Sequence, residues 1–115
     1  MSSREVMMGK LNVIVKRPED EYGHMIMIEN TLEAFQKLVN GHIEVFPYKN
    51  VLVVCNEEGK LRGLEMNLIL GRELLVGNLV ICGWSGEEFT DIPIDMRAWK
   101  NIVDMSSTKL WKEIE

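Results

Sequence analysis

Only two cysteines, Cys55 and Cys82, occur among the 115 residues, and neither belongs to a CxxC pair. A thiolate metal site or a redox pair therefore has no pattern to start from. Each cysteine lies inside an apolar run, so the expectation is two reduced, buried thiols rather than a disulfide. No apolar run approaches the ~20 residues of a membrane span. The opening MSSREVMMGK lacks the apolar core of a signal peptide, which makes a cytoplasmic protein with no membrane partner the expectation. Positive charge is also scarce. Thirteen Lys and Arg against eighteen Asp and Glu leave a net charge of -5, which disfavours wrapping nucleic acid by phosphate neutralisation. The local pair Lys16-Arg17 is followed at once by Glu19-Asp20-Glu21 and reads as solvated surface. Internal repeats, linkers and low-complexity tracts are absent, as is any phosphate-cradling glycine fingerprint, so no cofactor is expected.

What is present is one domain's worth of ordinary globular chain. A composition of 46% hydrophobic and 27% charged residues is far from that of disordered sequences. At this length roughly 65% of the unfolded surface can be buried around a single core, so residues 1–115 form one domain. LNVIVK, closed by Arg17-Pro18, predicts a first strand, and HMIMIE a second. In NTLEAFQKLV, Asn30 caps a helix from Thr31 to about Val39 with Glu33 reaching back, and Leu32, Phe35, Leu38 and Val39 share a face. Asn40-Gly41 suits its left-handed end.

HIEVFPY alternates as a half-exposed strand. VLVVC, apolar at every position, reads as a strand buried on both faces. Asn56 to Lys60 then predicts a hairpin corner, with Gly59 at positive φ and KLRGL as the returning strand. Glu65 to Gly71 is ambiguous and could be one turn of helix. In LLVGNLVICGW, Gly77-Asn78 reads as a bulge in one long strand, with a two-residue turn as the alternative. SGEEFTD is expected to be a polar loop. Thr90 or Asp91 would cap a helix with Pro93 in its first turn and Met96, Trp99 and Val103 on one face. A last short helix groups Leu110, Trp111 and Ile114, and a homodimer contact through it is open. The fold class is α+β: a mainly antiparallel sheet of about five to six strands, one helix after the first strands, and one or two C-terminal helices packed on it.

LEAFQKLVNGHIEVFPY, VLVVCNEEGKLRGLEMN, LLVGNLVICG and GEEFTDI together resemble a small family of unknown function, number 3846, carried mostly by bacteriophages, plasmids and conjugative elements. The resemblance runs from about Asn30 to Asp91. Leu64-Glu65-Met66 stands where that family often has a proline, and the helical segment 92–115 is unmatched from Arg97 onward. The resemblance implies an accessory protein of a mobile element, a class rich in binders of host proteins or of small ligands, nucleotides included. It implies no agreed activity.

The candidate site residues follow from polar or aromatic interruptions of apolar strands. Asn56, Arg62 and Asn67 lie on the segment carrying the resemblance, and Trp84 ends a strand where an aromatic face could stack on a ligand or partner. The plainer alternative is that both asparagines make turn or cap bonds and Trp84 fills the core. A catalytic alternative, a small hydrolase or nucleotide-processing enzyme, would use His24 or His42 with a loop carboxylate from Glu57-Glu58 or Glu87-Glu88. No catalytic constellation supports it, and Ser85 in W-S-G lacks the nucleophile-elbow pattern. Glu57-Glu58 and Glu87-Glu88 could hold a divalent cation only if their two loops met; solvated surface is the expected reading, and no metal site is assigned. The leading expectation is a non-enzymatic protein that binds a host protein or small ligand stoichiometrically.

Overall fold

The computed structural model describes residues 9–106; the last helix expected from Leu110, Trp111 and Ile114, and its dimer contact, lie outside the described residues. In chain order the elements are β1 (Lys10–Lys16), β2 (His24–Glu29), α1 (Leu32–Val39), β3 (Ile43–Tyr48), β4 (Val51–Asn56), β5 (Met66–Leu70), β6 (Glu73–Val76), β7 (Leu79–Ser85), β8 (Glu88–Thr90) and α2 (Met96–Asp104). Five strands run in the order β2-β1-β7-β4-β3, and β8 pairs with β7. Every pairing is antiparallel, and β5 and β6 form a separate two-stranded sheet. The fold is α+β, as the patterning predicts.

The two faces of the main sheet are filled differently. Side chains alternate along a strand, so Leu11, Val13, Leu52, Val54, Val80 and Cys82 gather on one face, where Phe35 and Val39 of α1 cover them. Ile14, Val51, Val53, Cys55, Leu79 and Ile81 point the other way, against Leu68, Leu70 and Leu75 of the β5–β6 sheet and Trp99 and Val103 of α2. The central strand β4 is buried at all six positions, which is why VLVVC shows no alternation. Each central strand needs apolar residues on both sides.

Several local expectations are corrected by the structure. Thr31, not Asn30, caps α1, its hydroxyl accepting from the Ala34 N–H at 3.1 Å. Asn30 is occupied elsewhere: its N–H donates to the Gly9 carbonyl at 3.1 Å and extends the β1–β2 ladder. Asp95 caps α2, accepting from the Ala98 N–H at 2.9 Å, because Asp91 is drawn away to accept from the Asn12 N–H at 2.8 Å. Pro93 therefore precedes the helix. KLRGL is no strand. Residues 57–63 coil through bonds such as Arg62 N–H to Glu58 O (2.9 Å) and Leu64 N–H to Gly59 O (3.0 Å), and β4 takes β3 and β7 as its partners.

Met66–Leu70 is a strand rather than a helical turn, and EFT inside the expected polar loop forms β8, with Trp84 opposite Phe89. Gly77-Asn78 is neither bulge nor hairpin turn. It is the crossing where the chain leaves the small sheet and enters the large one, with Gly77 at φ +74° and no room for a Cβ, which would stand 2.8 Å from Leu64 Cδ1.

Candidate functional site

The C-terminal end of α1 gathers the first two expected site residues. Asn40 ends the helix in the left-handed conformation, φ 64°, leaving carbonyls that the helix itself does not satisfy. Asn56 donates through Nδ2 to two of them, Val39 O at 2.9 Å and Asn40 O at 3.1 Å, while its Oδ1 accepts from the Glu58 N–H at 2.7 Å. Arg62 reaches back over the turn and places Nη1 3.1 Å from the same Asn40 carbonyl. Asn78 adds a bond to Leu38 O at 3.1 Å. The negative end of a helix dipole thus meets a buried amide and a guanidinium. Gly41 is required by close approach, since a Cβ there would stand 2.7 Å from Asn56 Nδ2.

Asn67 lies apart from this pair, on the other face of the sheet. Fully buried in β5, it donates through Nδ2 to Lys16 O (2.8 Å) and Gly77 O (2.7 Å), and its Oδ1 accepts from Lys16 Nζ at 2.7 Å, so Lys16 is buried and not the solvated surface expected of the Lys16-Arg17 pair. Both asparagines therefore spend their amide groups inside the fold. Trp84 stands at the opposite end of β7 from Asn78, six residues or about 20 Å along the strand. Its side chain is 42% exposed beside a shallow groove of about 220 Å³ lined by Val45, Pro47, Leu52, Glu87 and Phe89. The four expected residues thus fall at three places, with only Asn56 and Arg62 together.

The two histidines lie apart from each other, as do the two carboxylate pairs. His24 begins the edge strand β2 and His42 precedes the other edge strand, β3. Glu57-Glu58 follows β4 and Glu87 follows β7; because these strands are antiparallel, the two loops lie at opposite ends of the sheet. They cannot share a cation. Among the described residues no group of three or more His, Cys, Asp or Glu is arranged to hold a metal ion.

The feature that sequence reasoning missed is a cleft of about 270 Å³ between the sheet and the small hairpin. Its walls are Glu44 and Phe46 of β3 and Glu73, Leu74, Leu75 and Val76 of β6; the turn after Asn56 closes one end with Glu57, Lys60 and Leu61. Gly59 lets the turn sit this close, because a Cβ there would meet Val76 Cγ2 at 2.8 Å; the positive φ belongs instead to Gly63, at +69°. Lys60 Nζ lies 2.8 Å from Glu73 Oε2, a bond that raises the lysine's pKa, and Leu61 stands 91% exposed at the rim.

Cys55, also on the lining, has its thiol pushed up to about 11 by burial, with Glu44 and Glu73 adding to the shift. It is a protonated, inert thiol at neutral pH. Three carboxylates against one ammonium leave the cleft negative. Alternation along β3 could have suggested Glu44, but nothing in the sequence brings Lys60 to Glu73, thirteen residues away.

No helix among the described residues is long and apolar enough to cross a membrane. No curated protein and no solved structure matches the chain. The family model described as Domain of unknown function (DUF3846) matches residues 10–104. The match begins earlier than the stretch from Asn30 to Asp91 and continues past Arg97 through α2. Spanning the sheet, the cleft turn and both described helices, it shows that the chain belongs to the DUF3846 family.

Proposed function

We propose that the protein is a non-enzymatic accessory protein of a phage or other mobile genetic element that acts by stoichiometric binding, with the cleft between β3 and β6 as its ligand site. The observation that carries this reading is the lining itself. Phe46, Leu74, Leu75 and Val76 offer apolar surface beside Glu44, Glu57, Glu73 and Lys60, the mixture of apolar wall and few polar groups that suits a small ligand or one side chain of a host protein. The excess of carboxylates favours a cationic or neutral group over a phosphate. A nucleotide therefore ranks below an amine-bearing ligand. Asn56 and Arg62 contribute by holding the turn that closes the cleft, and the Trp84 groove offers a second contact for a protein partner.

The test is a two-dimensional NMR titration with arginine methyl ester, putrescine and adenosine monophosphate. Shifts confined to Glu44, Leu61, Glu73 and Leu74 with an amine, abolished by the cleft-filling Leu74→Trp, support the site. Shifts with none of the three probes, or shifts unaltered by Leu74→Trp, refute it.

A second reading, a small hydrolase or nucleotide-processing enzyme, draws on one contact. The Glu57 N–H donates to the His42 carbonyl at 2.8 Å, which brings an imidazole and a loop carboxylate into the same neighbourhood. Turnover of a phosphodiester or ester substrate that vanishes in His42→Ala would favour it.

A further inference from the structure

We propose that two copies of this chain join through their β2 edges in one continuous antiparallel sheet, with the two-fold axis passing beside Ile26. The observation is an unprotected edge. β2 pairs with β1 along its whole length, from Lys10 opposite Glu29 to Val15 opposite His24, and among the described residues no strand lies on its other side. Met25, Ile26 and Met27 are 38%, 37% and 63% exposed at its centre. Exposed edges are usually blunted by lysine, proline or a bulge. β3, the other edge, carries Pro47 and Glu44, whereas β2 carries ionisable groups only at its ends, His24 and Glu29.

The hydrogen-bond pattern fixes which groups are free. Asn30 N–H donates to Gly9 O, so Asn30 and the alternate residues Ile28, Ile26 and His24 turn their main-chain groups toward β1. Asn12 agrees: its carbonyl accepts from the Ile92 N–H and its own N–H donates to Asp91, both on the far side of β1 from β2. Met25, Met27 and Glu29 consequently direct their N–H and C=O groups outward. Two free pairs two residues apart form a self-complementary edge. A two-fold axis at Ile26 sets Met25 of each copy against Met27 of the other as a hydrogen-bonded pair, and Ile26 against itself as a non-hydrogen-bonded pair. Side chains agree at the three central positions, where Met25 meets Met27 and Ile26 meets itself, while Ile28 falls opposite His24 at each end. The exposed run Met25-Ile26-Met27 reads the same in either direction, so an antiparallel second copy sets an apolar residue against each of the three.

The experiment is light scattering with sedimentation from about 1 μM to about 1 mM, the range in which a modest interface dissociates, on the parent and on Met27→Pro. Proline removes only an outward N–H, so the β1–β2 ladder survives while the edge is blocked. The expected result is a dimer for the parent and a folded monomer for Met27→Pro. A parent that stays monomeric up to the highest concentration overturns the proposal, as does a dimer that persists in folded Met27→Pro. Should Met27→Pro fail to fold, Ile26→Cys decides: the Cα separation of about 4.5 Å in a non-hydrogen-bonded pair lets a disulfide join the two copies on mild oxidation. Met25→Cys, set against Met27, should not cross-link to itself. Equal cross-linking of both variants, or of neither, refutes the register.

Discussion

Lys16 Nζ and Asn67 Oδ1 meet at 2.7 Å in the interior, where β1 of the large sheet faces β5 of the small one. The same amide returns two bonds, to Lys16 O and Gly77 O, so one side chain stitches the sheets together at the crossing between them. Leaving buried polar groups without these partners costs about 1–3 kcal/mol each. Asn67→Leu should lower stability by about 3 kcal/mol in urea denaturation, well above an ordinary surface change. A loss under about 1 kcal/mol would mean that the amide is not the stitch.

The contact between Gly41 and Asn56 makes a second prediction. A methyl group at Gly41 would press on Asn56 Nδ2 at 2.7 Å and displace the amide from the carbonyls of Val39 and Asn40. Gly41→Ala and Asn56→Ala should each destabilise by about 2 kcal/mol. In the double variant the obstacle and its victim disappear together, so the two losses should fall short of additivity by about 1 kcal/mol. Strict additivity in a double-mutant cycle would show that the residues do not act as one clamp.

Much of this architecture was legible in the sequence, and the exceptions share a cause. β1, β2, α1 and β4 announce themselves through local periodicity, and Met96, Trp99 and Val103 mark the face of α2 that packs inward. Local signals failed where a long-range bond claimed a residue. Asp91 would make a good cap, but Asn12, 79 residues away in the chain, takes its carboxylate. KLRGL has strand-like residues, but β7 already holds the edge of β4 that they would need. For the site, sequence reading found the residues that position the turn, Asn56 and Arg62. It missed Glu44, Lys60 and Glu73, which line the cleft, because their meeting depends on how two sheets stack.

The cysteines carry a pH prediction. Burial pushes the Cys82 thiol up to about 12, and Cys55 stands at about 11 against an ordinary 9.0. The folded values lie above the unfolded one, so this contribution to stability is complete below about pH 9 and is lost as pH rises through about 11 and about 12. Tyr22 adds in the same direction, held at about 12 first by its hydrogen bond to Asp104. Urea midpoints should fall between about pH 8 and about pH 10.5, and the fall should flatten in Cys55→Ala with Cys82→Val. Labelling by a thiol reagent near pH 7.5 should be slow in the native state and fast in denaturant. Fast native labelling would contradict the burial of both thiols, which lie on opposite faces of the sheet.

The turn after β4 allows stability and binding to be separated. Glu57 and Glu58 are exposed, and the turn is held by main-chain bonds together with the Asn56 side chain, none of which needs a glutamate side chain. Replacing both by Ser should change stability by less than about 0.5 kcal/mol. Lys60→Ala removes an exposed ion pair with Glu73 and should also cost less than about 1 kcal/mol. The two changes move the charge of the cleft in opposite directions. Loss of Glu57 makes it less negative and should weaken an amine-bearing ligand several-fold, whereas loss of Lys60 frees Glu73 and should strengthen it. A corner with no function would leave affinity unmoved in both. Measuring affinity for arginine methyl ester by NMR alongside urea denaturation separates the cases: opposite shifts in affinity at nearly constant stability identify the turn as part of the site, and parallel losses of both would reduce it to a structural corner.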